Sequence, residues 1–372
     1  MLQKWAKRME KREIFRGALL GLEVGDAMGY TVDKKSLEEI REDYGPNGLL
    51  CYDLVNGYAD ITSYTQTAAF VGNGLLLGLT RRAIRGVMAR PVNYAAMALK
   101  EWSRSQQFGP IEKNNCWLSG CPELKRRHCL DTRVLDMLSR ERLGTLEEPV
   151  ARMDSPSTLT TALPVALLAK PLRLTAEEAD RLAADIVALT HGDGAAYVCA
   201  AALCRMLGYI LEDPQRHTEE LLRRTVDAIQ LQFGKDHAQT SGLWELLQMT
   251  RVLIAEDSVT PMEAMEQLRC TTAPEVLCGA LYACATSHRD FDAAIITAVN
   301  HSGRSAAVGA VTGMVMGMLL GESALPEFYL ESLESAEVLR QLADDLLVGC
   351  PMDPVSNLFD DEWDRKYLRS GV

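Results

Sequence analysis

Four short segments interrupt an otherwise periodic sequence, and each carries side chains able to do chemistry. Residues 17–33 (GALLGLEVGDAMGYTVD) hold Asp26 and Asp33 among glycines, and residues 60–66 place Asp60, Thr62, Ser63, Tyr64 and Thr65 directly before a helical pattern. Residues 190–194 (THGDG) centre on His191, and residues 298–309 (AVNHSGRSAAVG) set Ser302, Gly303, Arg304 and Ser305 at the head of a glycine-rich run. Carboxylates such as Asp33 and Asp60 can act as general acids or bases, and an imidazole such as His191 titrates near neutrality. A guanidinium just before a helix start offers a planar fork for phosphate or carboxylate, and the first backbone N–H groups add to that affinity.

The elements that must position these groups are helical. Apolar residues recur at intervals of three and four over 12–29, 66–85, 92–107, 175–189, 195–211, 219–231, 242–254, 261–269, 273–285, 291–299, 305–320 and 335–346, whereas alternating strand patterns are almost absent. Thr175 with Glu177 and Glu178 is a helix-start signature. In 305–320, Gly309, Gly313 and Gly317, followed by Gly321, fall on one face that lets another backbone approach closely. The expected architecture is all-α, a compact, mostly orthogonal multi-helix bundle in one domain spanning 1–372, because no Ser/Gly/Pro-rich linker or charge block divides the chain.

Taken in order, the four segments resemble the ADP-ribosylglycohydrolase family. Residues 17–33 are similar to that family's GxxxGxxxGDAxGxxxE opening, 190–194 to its Thr-His-Gly-His segment, and 298–309 to its Val-Asn-x-Gly-Gly-Asp-Thr-Asp-Thr stretch before a glycine-rich helix. The resemblance implies an all-α fold and, in typical members, removal of ADP-ribose from protein side chains with a pair of Mg²⁺ ions. The departures concern those metals. The family's Thr-Asp-Asp-Thr-Gln falls on Thr62, Ser63, Tyr64, Thr65 and Gln66, and its Asp-Thr-Asp-Thr falls on Arg304, Ser305, Ala306 and Ala307. All four aspartates are replaced, and residues 154–164 (DSPSTLTTALP) stand where similar bacterial members carry a Ser-Lys-Gly-Cys-Gly-Gly loop. Hard divalent cations need oxygen ligands with negative charge, so Mg²⁺ at the family site is expected to be absent and no cofactor is expected.

Each retained or altered residue has two readings. Arg304 either binds an anion in the vacated metal position or forms a salt bridge to Asp26 or Asp33; Ser305 reads as an N-cap. Asp33 takes the place of a family glutamate that gates the site, or caps a helix, while Asp26, in what reads as a glycine-flanked turn, is structural. His191 is a base or a buried hydrogen-bonding group whose only nearby carboxylate in sequence is Asp193. Tyr64 stacks on an adenine or ribose, or plugs the cavity. The ligand-binding candidates are therefore Thr62, Ser63, Tyr64, Thr65, Ser302, Gly303, Arg304 and Ser305, and the catalytic candidates are Asp33, Asp60 and His191.

Composition removes several function classes. The chain has 39 Lys plus Arg against 51 Asp plus Glu, and its charge of −12 argues against nucleic acid. The basic runs 125–128 and 81–90 read as solvated helix ends. The apolar run 305–320 is shorter than the roughly twenty residues of a membrane span, and no secretory leader pattern opens the chain. Ten cysteines scattered through helical segments suggest reduced thiols and a cytoplasmic protein. Cys116, Cys121, His128 and Cys129 are close enough in sequence to pose a zinc site, although the spacing matches no paired pattern. Three readings remain: a pseudoenzyme that binds ADP-ribose, another anionic nucleotide or a protein partner; a metal-independent hydrolase of an ADP-ribosyl or other glycosidic bond; and a structural or assembly protein with a filled cleft.

Overall fold

A computed structural model describes residues 9–109, 114–234, 237–256, 258–353, 355–356 and 358–369. Among them the extended elements are confined to three isolated β-bridges, and the helices run in chain order as follows. They are α1 (Lys11–Val32), α2 (Leu37–Tyr44), α3 (Ser63–Arg85), α4 (Pro91–Phe108), α5 (Thr132–Ser139), α6 (Ala162–Leu172), α7 (Ala176–Ala188), α8 (Gly194–Glu212), α9 (Thr218–Phe233), α10 (His237–Ile254), α11 (Pro261–Leu268), α12 (Ala273–Thr286), α13 (Phe291–Val299), α14 (Ser305–Leu320), α15 (Glu327–Leu330), α16 (Ala336–Val348) and α17 (Asp361–Tyr367). The fold is all-α, as the periodicity requires.

Glycine decides the centre. α1 and α14 run antiparallel, and the faces carrying Gly17, Gly21 and Gly25 meet those carrying Gly317, Gly313 and Gly309. A methyl group on any of these six would collide with a carbonyl oxygen of the opposite helix. Each interior glycine costs about 1 kcal/mol of helix propensity, offset here by dispersion contacts between two backbones. Every residue of α14 from Ser305 to Leu319 is buried, and α1 packs in addition against α16. α8, packed by α6, α7, α9 and α12, forms a second central rod. It is long and apolar enough to cross a membrane, and 72% of its most apolar stretch is buried inside the fold.

The helix limits depart from the periodicity where side chains outside the pattern cap them. Residues 17–33 are no interruption: α1 continues to Val32, and Asp26 lies within the helix rather than in a turn, because the glycines are held by α14. α3 begins at Ser63, ahead of the expected Gln66, because the Thr62 hydroxyl accepts a bond from Tyr64 N (3.2 Å). α14 begins at Ser305 as expected, but its N-cap is Arg304; the Ser305 hydroxyl donates instead to His301 O (3.3 Å). The stretch 154–164 contains a short 3-10 turn that leads into α6, which is apolar except for Lys170 and contains Pro164 and Pro171, so no period reveals it. Thr175 and Glu178 form the capping box of α7, in line with the sequence.

Candidate functional site

The C-terminal end of α1, the first turn of α3 and the first turn of α14 converge, and Asp26 is at the centre. Its carboxylate is fully buried and accepts four bonds. Thr62 Oγ1 donates to Oδ1 (2.6 Å), while Thr62 N (3.0 Å), Thr65 N (3.0 Å) and Thr65 Oγ1 (2.6 Å) donate to Oδ2. A side chain of α1 thus satisfies backbone donors at the start of α3, where the helix dipole favours negative charge. Burial pushes the Asp26 carboxyl above its usual value, and the four donors pull against it.

Asp33, the C-cap of α1, does the same for α14. Its Oδ1 accepts from Ala306 N (3.1 Å), and its Oδ2 is buried without a partner. Burial raises it to about 6, with the Ala306 N–H and the Arg304 charge holding it down. Arg304 is half-buried and donates its backbone N–H to Cys270 O (2.8 Å). Its guanidinium lies within ion-pair distance of no carboxylate among the described residues, so the salt bridge to Asp26 or Asp33 is not formed. Tyr64 is only 2% exposed and stands in the fields of Asp33, Arg304 and Asp26; burial raises its phenol well above the ordinary value.

Ser63 is buried beside it, and its N–H donates to His128 O (3.1 Å). Ser302 lies on the outside of the same corner, where its hydroxyl accepts from Leu37 N (2.9 Å) and donates to Glu266 (3.0 Å). Gly303 is pressed against the carbonyls of Arg269 and Cys270. The structure therefore brings together Asp26, Thr62, Thr65, Asp33, Tyr64 and Arg304.

Asp60 and His191 are engaged elsewhere. Asp60 is ion-paired with Arg126, which also bridges to Glu334. Residues 125–128 are consequently not a solvated helix end: Arg126 is half-buried, its carbonyl accepts from Gln66 (2.9 Å) and Gln106 (3.1 Å), and His128 contacts Ile61 O (3.0 Å). Arg82, in the second basic run, likewise gives its guanidinium to the carbonyl of Pro171 (2.6 Å).

His191 is fully buried. Its Nδ1 meets Thr190 Oγ1 (2.8 Å) and its Nε2 meets Ser155 Oγ (3.0 Å), and a chain through Ser157 Oγ reaches Asp131 Oδ2 (3.1 Å). Burial pushes His191 down to about 4, so it is neutral at pH 7. Asp193 is no partner to it; its carboxylate caps α8 through Ala195 N (2.9 Å).

Two further carboxylates, Asp131 and Glu23, are buried. Asp131 is held far below the carboxylate range: burial acts to raise it, and the bonds from Arg133 and the serine network outweigh that. Glu23, three residues before Asp26 on α1, is fully buried, accepts from Ser335 Oγ, and keeps Oε2 without a partner; burial raises it to about 8. An acidic residue inside an apolar, glycine-spaced helix was the available clue to Glu23. All ten cysteines are free, and burial raises the Cys116, Cys121 and Cys129 thiols. Among the described residues no group of three or more His, Cys, Asp or Glu side chains is arranged to hold a metal.

With this geometry in place, comparison with known proteins is decisive for the family: the model described as ADP-ribosylglycohydrolase matches residues 7–354. The chain belongs to the ADP-ribosylglycohydrolase family. It is 25% identical over 343 residues to a protein of Archaeoglobus fulgidus described as uncharacterized, across 89% of this chain and 95% of that one. It also shares the fold of a solved structure described as an ADP-ribosylglycohydrolase-related protein complex, with a TM-score of 0.55 and 23% identity over 91% of this chain and 99% of that one. In this member of the family, Ser63 and Tyr64, which the resemblance aligns with metal-binding aspartates, are both buried in the first turn of α3. The altered 154–164 stretch closes over that turn, since Thr160 Oγ1 donates to Tyr64 O (2.7 Å).

Proposed function

We propose that this protein is a pseudoenzyme, a member of its family without metal-dependent hydrolysis that recognises an ADP-ribose-like anion through Arg304. The observation that carries the reading is the state of the carboxylates: both oxygens of Asp26 are consumed by Thr62 and Thr65, and Asp33 Oδ2 alone in this constellation lacks a partner. Mg²⁺ demands near-octahedral oxygen coordination, usually with carboxylates. A single free carboxylate oxygen beside a guanidinium and a buried tyrosine does not fit a pair of such ions.

Metal-free hydrolysis is no better supported. Glycoside cleavage uses a pair of carboxyl groups at a working distance, whereas Asp60 is tied to Arg126 and His191 is buried and hydrogen-bonded on both nitrogens. What favours anion recognition is Arg304 itself, a half-buried cation without an ion-pair partner among the described residues, set at the N-terminus of α14.

Calorimetry with ADP-ribose tests this, with and without Mg²⁺, on the wild-type chain and on Arg304→Ala. The expected result is binding indifferent to Mg²⁺ and weakened roughly tenfold or more in the variant, the loss typical of a charge-assisted contact. Release of ADP-ribose from a modified protein would overturn the pseudoenzyme reading. Absence of any binding would leave the buried Tyr64 as the plug of a filled cleft and make the protein a scaffold.

A further inference from the structure

At the other end of α1, roughly 30 Å away along the 1.5 Å rise of the helix, lies an open trench of about 1370 Å³. It is bounded by the first turn of α1, the C-terminal ends of α3, α6, α8 and α16, and the start of α7. Phe15, Leu79, Leu167 and Leu174 give it apolar walls.

Three independent observations single it out. The first is charge. Five cations line it against two carboxylates, on a chain whose net charge is −12. Arg205 is ion-paired with Asp180, and Arg82 is spent on helix carbonyls, but Lys11, Lys170 and Arg173 are exposed, with no carboxylate in ion-pair distance among the described residues. Cations clustered in a cleft of an acidic protein focus a field that attracts anions.

The second is an unsatisfied acceptor. Asp180 is 1% exposed; Arg205 Nε donates to its Oδ2 (2.7 Å), while its Oδ1, on a residue lining the trench, has no partner. Buried polar atoms are nearly always hydrogen-bonded, and an orphan calls for a partner. The third is Gly208, inside α8. The seam glycines of α1 and α14 are required by the opposite backbone, whereas a methyl on Gly208 would meet nothing within 4 Å. Glycine is the poorest helix former after proline. No packing in the fold demands it here; its effect is to keep the trench wide.

We propose that this trench is a second ligand site, distinct from the family site, for an amphipathic organic anion. The apolar body lies along the walls, a hydroxyl or amide on that body donates to Asp180 Oδ1, and a carboxylate or phosphate head meets Lys11, Lys170 and Arg173. Ligand cavities are concave and mainly apolar with a few convergent polar groups, and this one follows that design: Lys11, Lys170 and Arg173 are exposed, and Asp180 Oδ1 lies in its wall without a partner.

Calorimetry on the full chain with ω-hydroxydecanoate, decanoate and decyltrimethylammonium tests the assignment. The hydroxylated anion should bind best, decanoate more weakly, and the cation not at all. Gly208→Leu, whose Cβ meets nothing within 4 Å and whose side chain extends into the trench, and the double variant Lys11→Glu/Lys170→Glu should each weaken ω-hydroxydecanoate by roughly tenfold or more, with helical content kept. Arg304→Ala should bind it as the wild type does. Equal affinity in all variants, preference for the cation, or loss of binding in Arg304→Ala would overturn the proposal. So would a concentration-dependent dimer that Gly208→Leu dissolves, because a second copy of the chain would then be the occupant.

Discussion

The two ends of α1 treat their polar atoms in opposite ways. At the C-terminal end, Asp26 and Asp33 are turned onto the N-terminal N–H groups of α3 and α14, Tyr64 is buried, and one carboxylate oxygen is left over. At the N-terminal end, three cations and one acidic oxygen around the trench have no protein partner among the described residues. Here the carboxylates serve as caps that hold the starts of α3 and α14 against the end of α1. At one end the carboxylates are consumed by architecture and Arg304 alone stays without an ion-pair partner among the described residues; at the other, several cations do.

The contrast can be broken most severely through the seam that joins the two ends. Gly25→Ala puts a methyl into the Gly309 carbonyl, and overpacking against a backbone that cannot yield should cost about 3 kcal/mol. Denaturant unfolding reads this, and a variant as stable as the wild type would mean that α1 and α14 can slide apart. Next comes Asp26→Ala, which strands the buried donors of Thr62 and Thr65. A loss of about 2–3 kcal/mol is expected; an unchanged stability would instead mark Asp26 as held for a ligand.

Glu23 sharpens the comparison through pH. Its folded value, raised to about 8 by burial, lies above the usual carboxylate value, so between roughly pH 4.3 and 8 the folded chain binds a proton that the unfolded chain does not. Stability contributed by that proton is complete below this window and is lost as pH rises through it. Glu23→Gln should flatten the slope and stabilise the chain at pH 8 by about 2 kcal/mol; melting curves at pH 5 and pH 8 that shift in parallel for both proteins would sink the assignment. The smallest effect has the opposite sign to the first. Gly208→Ala meets open space and should stabilise α8 by up to about 1 kcal/mol, so that one Gly→Ala exchange destroys and the other improves. A destabilised Gly208→Ala would show that the trench wall is packed after all.

Much of this is legible in the sequence where the signal is local. The capping box at Thr175 and the fourfold glycine spacing after Ser305 locate α7 and the close-packed face of α14. The proximity of Tyr64, Asp33 and Arg304 follows from the family resemblance. What stays hidden depends on partners far along the chain. The stretch from Gly25 to Gly29 reads as a turn until α14 is set against it, and α6, buried from Ala162 to Leu168, has no polar face there to give it a period. His191 is met by its neighbour Thr190 on Nδ1, but its Nε2 partner, Ser155, lies 36 residues away, and the nearby Asp193 is no partner at all. The trench is assembled from the ends of several helices, none of which is unusual alone.

The seam also has a consequence for synthesis. α1 leaves the ribosome well before α14, yet the backbone it must touch belongs to α14. At about 5–20 residues per second the delay is on the order of tens of seconds, during which a glycine-spaced helix too weak to stand alone waits for its partner. Chains arrested before residue 305 should leave residues 11–32 open to protease, and chains extended past 321 should protect them. A helix made early is thus completed late.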